Sequence, residues 1–233
     1  GPVAGRRDDT RIEIDDFGDK LFKQKALEHG LKLLVITEDG RSLIGVDEEK
    51  DVEATAAVDP TENSGEHEAG LDTPLYSAFT FFDKNLKPRV AGICDFIRER
   101  FLFFSEGQNR LFQYIDVKDE EGRIIGWDIQ EREIKQPPIR QITDPGFVLA
   151  SYMGSNEYSL PFLDQGGIDL LRKMVPKGRF HGKGGSHAPL LLATGADAYV
   201  MVDDIRTEVS PSFAMAKAGG FGVWVYDKNR NVT

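Results

Sequence analysis

Cysteine is almost missing: Cys94 stands alone among 233 residues. One thiol excludes an internal disulfide and any metal centre built from several cysteines, and it suits a reducing compartment. Long apolar runs are missing too. No stretch of about 18 such residues occurs, so no membrane-crossing helix is expected. The opening GPVAGRRDD lacks the apolar segment of a secretory leader, and Gly1-Pro2 reads as the scar of tag removal. A cytoplasmic location is the expectation. Positive charge is in deficit, with 29 Lys and Arg against 39 Asp and Glu, a net charge of −10. That field opposes broad contact with nucleic acid or an anionic membrane surface. It leaves room for phosphate held by backbone amides or bound cations. Repeats and low-complexity tracts are absent as well.

What is present is enough apolar material, 40% of residues, for one large core or two small ones. Asp15-Asp16 followed by FGDKLFKQKALEHG predicts a helix. Asp16 is its cap, Leu21, Phe22, Ala26 and Leu27 form its apolar stripe, and Gly30 ends it. LKLLVIT (31–37) predicts a strand covered on both faces. RSLIGVDEEKD reads as a charged loop, and EATAAV as a strand that stops at Asp59-Pro60. From Pro74 onward, PLYSAFTFF, RVAGICDF, RFLFF, RLFQYIDV and RIIGWDI are separated by the turn signals DKNLKP, SEGQN and DEEG. They predict consecutive antiparallel strands. The connector IKQPPIRQITDPG marks a boundary between residues 1–140 and 141–233. Beyond it, GFVLASYM, DAYVMV and FGVWVYD read as strands, and FLDQGGIDLLRKMV, HAPLLLATG and SPSFAMAKAGG as helices. Helices packed on sheets are the expected architecture.

Three acidic groups fall at strand ends: Glu38 with Asp39, Asp59 with Glu62, and Asp203, Asp204 and Glu208 before a helix. Ligand sites in open α/β sheets collect beyond the carboxyl ends of strands. Carboxylates converging there repel one another unless a cation intervenes. With no cysteine or histidine cluster beside them, the hard cations Mg²⁺, Mn²⁺ or Ca²⁺ are favoured over zinc. Asn63-Ser64-Gly65 adds a turn whose successive N–H groups suit an anion. Taken singly, each acidic group is ordinary solvated surface; together they suggest a metal and phosphate site.

The order of these segments resembles the inositol monophosphatase superfamily, which includes fructose-1,6-bisphosphatase and 3′-phosphoadenosine phosphatase. That family carries G-E-E after a strand, then D-P-[IL]-D-G-[ST], then W-D and a helix ending in A-G-G. Here Ile36-Thr37-Glu38-Asp39 stands at the first motif. Asp59-Pro60-Thr61-Glu62-Asn63-Ser64 follows, with Asp59 21 residues after Glu38, and Ala218-Gly219-Gly220 closes the last helix. Thr194 to Tyr199, Gly70 to Ser77 and Ala91-Gly92 add to the likeness, which spans about residues 10 to 228. Glu62 replaces the family's second Asp, Asn63 its Gly, and W-D has no literal copy. Glu208 is the chosen counterpart, with Asp203 and Asp204 as rivals.

The resemblance implies a layered α/β/α/β/α sandwich of the sugar-phosphatase type and a homodimer. It implies a Mg²⁺-dependent phosphate monoester hydrolase acting on a small phosphorylated polyol, sugar or nucleotide. Glu38, Asp59, the Thr61 carbonyl, Glu62 and Glu208 would hold two or three Mg²⁺ ions. Asp15 or Asp16 would lie near the attacking water, which Ser64 with Glu38 or Asp39 would orient. The Asn63 and Ser64 amides would hold phosphate. Lys183, Ser186 and His187 would face the substrate. The alternative is a catalytically silent relative that binds a phosphorylated ligand or serves as an interaction subunit.

Other features carry plainer readings. His67 reads as a solvated loop residue. GRFHGKGGSHAP (178–189), with Arg179 and His181, is either a substrate-side or a mobile surface loop. Arg206 pairs with neighbouring acids or a second phosphate. Cys94 belongs to the core, and Trp127, Phe101, Phe103 and Phe104 pack the sheets or a dimer face.

Overall fold

The computed structural model describes residues 13–37, 40–62, 75–134, 140–153, 166, 169, 173, 179–182, 188–202 and 206–222. Helix α1 (Glu13–Glu28) comes first. Phe22 and Ala26 share one of its stripes and pack against Leu33, Val35, Ala56 and Val58. It ends where the sequence predicts. Gly30 sits at φ 65°, and the Gly30 and Leu31 N–H groups donate back to the Leu27 and Ala26 carbonyls at 2.9 Å. That closure needs a left-handed residue, which glycine adopts without steric penalty.

Strand β1 (Leu33–Thr37) folds back as β2 (Gly40–Ile44) and lies parallel to β3 (Ala54–Glu62) on its other side. A meander follows: β4 (Tyr76–Phe82), β5 (Pro88–Asp95), β6 (Arg100–Ser105), β7 (Gln108–Lys118) and β8 (Ile124–Arg132). The eight strands form one sheet in the order β2-β1-β3-β4-β5-β6-β7-β8. Every adjacent pair but β1/β3 is antiparallel. A second sheet is wholly parallel, with β9 (Val148–Met153) between β10 (Arg179–Gly182) and β11 (Ala198–Val202).

Helices α2 (Ala188–Ala193) and α3 (Arg206–Ala218) fill the space between the sheets. Leu190, Ala193, Ala214 and Met215 pack on Ala78, Ala91, Ile93 and Leu102 of the large sheet. Leu192 and Ala216, on the opposite side of the same helices, pack with Ala150 and Ala196 of the small one. At six residues α2 is too short to persist alone, so burial on both sides sustains it. Each fully buried Leu, Ile or Met here contributes about 1.5–3 kcal/mol. The layers therefore run α1, large sheet, α2 with α3, small sheet, in the manner of the expected sandwich.

Several expectations are corrected. The charged loop over 41–51 contains β2, whose Ile44 is buried opposite Leu33. Its one charged residue, Arg41, faces solvent on an edge strand, and the charged run after Gly45 hid the short pattern. Strand β3 does not stop at Asp59-Pro60 but runs to Glu62 through a shift in its pairing with β4. Proline cannot donate to a ladder, and a bulge accommodates it. Helix α3 starts at Arg206 and contains Pro211, so Glu208 lies within the helix rather than ahead of it. Arg179 and His181 belong to strand β10, not to a loop. Trp127 does not pack the sheet; it is 71% exposed, whereas Phe104 is buried. Of the helix expected over 162–175, Asp169 and Lys173 are helical, Gly166 is a turn residue at φ 83°, and the rest lies outside the described residues. So does the strand expected at 221–227, apart from Phe221 and Gly222.

Candidate functional site

Strands β1 and β3 are adjacent and parallel, pairing from Leu33 with Ala54 to Ile36 with Ala57. Their carboxyl ends therefore leave the sheet at one edge. Asp59 sits there, buried at 3% exposure, with Thr61 also buried. Asp59 pairs in register with Ala78, which faces the core beneath α3, so alternation places both on the α3 side of the sheet. The Thr61 N–H donates to Asp59 Oδ1 at 3.1 Å. The carboxylate thus satisfies a backbone donor that the Pro60 bulge removes from the ladder. Pairing resumes at Glu62 opposite Tyr76.

Helix α1 comes down on this bulge. A Cβ at Gly18 would lie 2.8 Å from Pro60 Cβ, so the glycine permits a contact no other residue could make unchanged. The next residue, Asp19, is buried and its Oδ2 accepts from Lys23 Nζ at 2.7 Å. The stripe through Gly18, Asp19, Phe22 and Ala26 carries the acid Asp19 at the end beside Pro60 and is apolar at the end over β1 and β3.

Helix α3 supplies the third element. Its 13 residues span about 20 Å, close to the roughly 19 Å between β3 and β7 at four strand spacings. It touches every strand from β3 to β7. Its C-terminal part is tied to β7, where Asn109 Nδ2 donates to the Met215 carbonyl at 2.6 Å. The half that reaches β3 is therefore the N-terminal half, which carries Glu208.

The candidate residues divide accordingly. Asp59 and Thr61 are buried at the bulge. Glu62 ends the same strand, Asp15 lies in the first turn of α1 and Glu208 in the first turn of α3. Glu38, Asp39, Asn63, Ser64, Lys183, Ser186 and His187 lie outside the described residues, as do His67, Asp203 and Asp204. Among the described residues no group of three acidic, histidine or cysteine side chains has the geometry of a metal centre.

Sequence reasoning missed two features at this edge. One is Asp19, hidden because its helix was read only for apolar spacing. The other is an ionic group around the buried Asp95, which pairs in register with Tyr76 of β4 and Arg100 of β6. The fully buried Asp95 carboxylate accepts from the Arg98 N–H at 3.0 Å, Arg98 Nη1 at 3.3 Å and Arg100 Nη2 at 3.0 Å. Burial pulls the Arg98 guanidinium down, but the Asp95 charge outweighs it and holds the group above its ordinary value. Burial, aided by the same charge, pushes the neighbouring Cys94 thiol up to about 11. The signal in the sequence was Asp95 followed by Arg98 and Arg100 across a turn.

No family model matches the sequence, and no curated protein matches it. Solved structures do. The extragenic suppressor protein suhB of Bartonella henselae superposes with a TM-score of 0.67 at 16% identity, covering 94% of this chain and 74% of that one. The fold is that of inositol monophosphatase. The inositol monophosphatase of Anabaena (Nostoc) sp. PCC 7120 superposes with a TM-score of 0.61 at 14% identity, over 88% of this chain and 72% of its own. A Staphylococcus aureus inositol monophosphatase solved with inositol monophosphate bound has a TM-score of 0.57 at 12% identity, over 88% and 69%. In this fold the Asp59 edge is the carboxyl edge of the parallel pair β1 and β3, the position that topology favours for a ligand.

Proposed function

We propose that this chain is a Mg²⁺-dependent phosphate monoester hydrolase acting on a small phosphorylated polyol, sugar or nucleotide. The observation that carries the reading is the Asp59 carboxylate, buried at the Pro60 bulge on the α3 face of the sheet, with α1 against Pro60 on the other face. The fold supports it, as does the phosphorylated ligand of the Staphylococcus aureus structure. An oxygen-only donor set of buried carboxylate and main-chain carbonyl fits Mg²⁺, which takes hard ligands. Asp59, the Thr61 carbonyl, Glu38, Glu62 and Glu208 would hold two or three ions. Bound there, Mg²⁺ neutralises phosphate oxygens and lowers the pKa of a coordinated water.

The chain's own residues then bind and orient. The Asn63 and Ser64 amides hold the phosphate. Ser64, with Glu38 or Asp39, directs the attacking water, near which Asp15 or Asp16 sits. Lys183, Ser186 and His187 contact the rest of the substrate. Positioning and electrostatics carry the rate, since hydrolysis of this ester in line needs no protein nucleophile. Residues 1–140 form the subdomain of the metal and phosphate loop and 141–233 the subdomain facing the substrate. The protein works as a cytoplasmic homodimer.

The test is phosphate release from a panel of sugar, polyol and nucleotide monophosphates. Turnover is expected with Mg²⁺, none in EDTA, and at least about 100-fold less in Asp59→Asn. Activity indifferent to EDTA refutes the metal reading. Glu62, where the resemblance has Asp, and the missing W-D motif favour the silent relative as the second reading. Its signature is no turnover while Mg²⁺ still raises the melting temperature of the wild type but not of Asp59→Asn.

A further inference from the structure

At the C-terminal end of α3 the layers part around a cavity of about 720 Å³, a size typical of small-molecule sites. Ile134, Leu192, Met215 and Phe221 give it an apolar floor, and Gly107 and Gln108 close one side at the turn between β6 and β7. It is not the Asp59 edge. Register runs Asp59, Ala78, Ile93, Leu102, Leu111 across β3 to β7, four strand spacings or about 19 Å. The strands alternate in direction over that span, so Gln108, which precedes Leu111 on β7, lies about 10 Å further from the carboxyl end of β3. The cavity and Asp59 are thus roughly 20 Å apart.

Arg140 lines this cavity in a fixed pose. Its Nη1 donates to Asp197 Oδ1 at 3.1 Å and Oδ2 at 3.0 Å. The Asp197 side chain is 4% exposed, and its Oδ2 also accepts from the Val148 N–H at 2.7 Å. That carboxylate is therefore satisfied by one guanidinium nitrogen and one main-chain donor. The other edge of the guanidinium, Nε with Nη2, makes no hydrogen bond among the described residues. Gly146 sets no side chain against it; even a Cβ there would lie 3.5 Å from Nε. Two parallel N–H groups on a planar fork match the two oxygens of a carboxylate. This chain uses the same edge elsewhere: Arg110 Nε and Nη2 hold Glu131 at 2.9 and 2.7 Å. We propose that the cavity is a second small-molecule site, taking an organic carboxylate with an apolar body. Its oxygens lie on Arg140 Nε and Nη2, and its body lies on Ile134, Leu192, Met215 and Phe221. A carboxamide offers the fork a single acceptor. A phosphate dianion would add two charges beside the neutral pair of Arg140 and Asp197, at the negative end of α3, in a chain of net charge −10. A singly charged acid suits both the fork and the floor.

The test is a heteronuclear NMR titration of the full chain with hydrocinnamate, a phenyl ring on a short carboxylic acid. Saturable shifts are expected at the amides of Gly107, Gln108, Ala218 and Gly219, with a dissociation constant of about 1 mM, the scale a ligand of that size reaches. Hydrocinnamamide, which lacks the second acceptor, and propionate, which lacks the ring, are each expected to bind about 10-fold more weakly. Arg140→Lys keeps a cation for Asp197 but has no fork. It is expected to bind hydrocinnamate about 10-fold more weakly and to lose the preference for acid over amide. Gln108→Trp, at an exposed position on the rim, fills the mouth and is expected to abolish the shifts. The dispersion of each spectrum shows whether the variant is folded, and should Arg140→Lys unfold, the ligand series with the wild type and Gln108→Trp still decides. No saturation below about 20 mM, twenty times the expected constant, overturns the site. So do shifts centred on other residues, or shifts undiminished in Gln108→Trp. Equal affinity for acid and amide overturns the carboxylate and the role of Arg140. None of these readouts involves phosphate release, so the site stands or falls apart from the enzymatic reading.

Discussion

Replacing Gly18 by alanine separates helix propensity from packing, because the two forces act with opposite sign. In an unpacked helix the substitution stabilises by about 1 kcal/mol. Here the added Cβ would sit 2.8 Å from Pro60 Cβ, against an ordinary carbon–carbon contact of about 3.5–4.0 Å. Either α1 or the bulge must retreat by close to 1 Å. Overpacking of that kind costs about 1–3 kcal/mol. The net expectation is a loss of up to about 2 kcal/mol, which lowers the melting temperature by as much as about 8 °C in a chain of this length. The same displacement carries the acidic end of α1 away from Asp59, and misplacement by about 1 Å can cost about 100-fold in rate. Thermal unfolding followed by circular dichroism reads the first effect, and phosphate release under saturating substrate reads the second. A melting temperature that rises by 2 °C or more would mean that propensity alone governs the site. The contact between α1 and the bulge would then be refuted.

Two further outcomes concern the buried group beside the site. Arg100→Ala removes the cation that holds Asp95 Oδ2 at 3.0 Å while that carboxylate remains fully buried. Breaking such a pair costs about 3 kcal/mol, or roughly 6–12 °C; the half-exposed Arg98→Ala is expected to cost less, and equal or greater loss there contradicts the network as described. Cys94, raised from 9.0 to about 11, is expected to alkylate about 100-fold more slowly in the folded protein at pH 8 than in urea. The unfolded thiol ionises first, so the contribution of Cys94 to stability is intact below pH 9 and lost as pH rises towards 11. Denaturant midpoints at pH 8 and pH 10.5 read the direction, and a Cys94→Ala variant subtracts the other groups titrating there.

The strands of the meander were legible because each is bounded by turn chemistry: Asp83 accepts from the Asn85 and Lys87 N–H groups, and Asp119 from those of Glu121 and Arg123. These contacts are local, so a short window contains the whole cause. Strand β2 was not legible, because it is short, gives Arg41 to solvent as an edge strand does, and runs into the charged stretch 47–51. The end of β3 was misread because proline signals a stop only when no bulge absorbs it. Among the candidate residues, Asp59 was found by its place after an apolar run. Asp19 was not, since a buried acid on a helix looks like any solvated one until its neighbours are known.

Taken alone, the sequence determined the segment types, their order, the acidic character of the strand ends and the resemblance that carries the functional reading. Each follows from residue chemistry over a few positions. Tertiary structure alone decided that β1 and β3 run side by side in parallel and that Gly18 lets α1 rest on Pro60. It also decided that α3 crosses from β7 to β3 with Glu208 at the far end, and that Trp127 faces outward on an open edge. Those relations join residues dozens of positions apart. Their free energy comes from burial and close packing between elements, which no local pattern in the chain encodes.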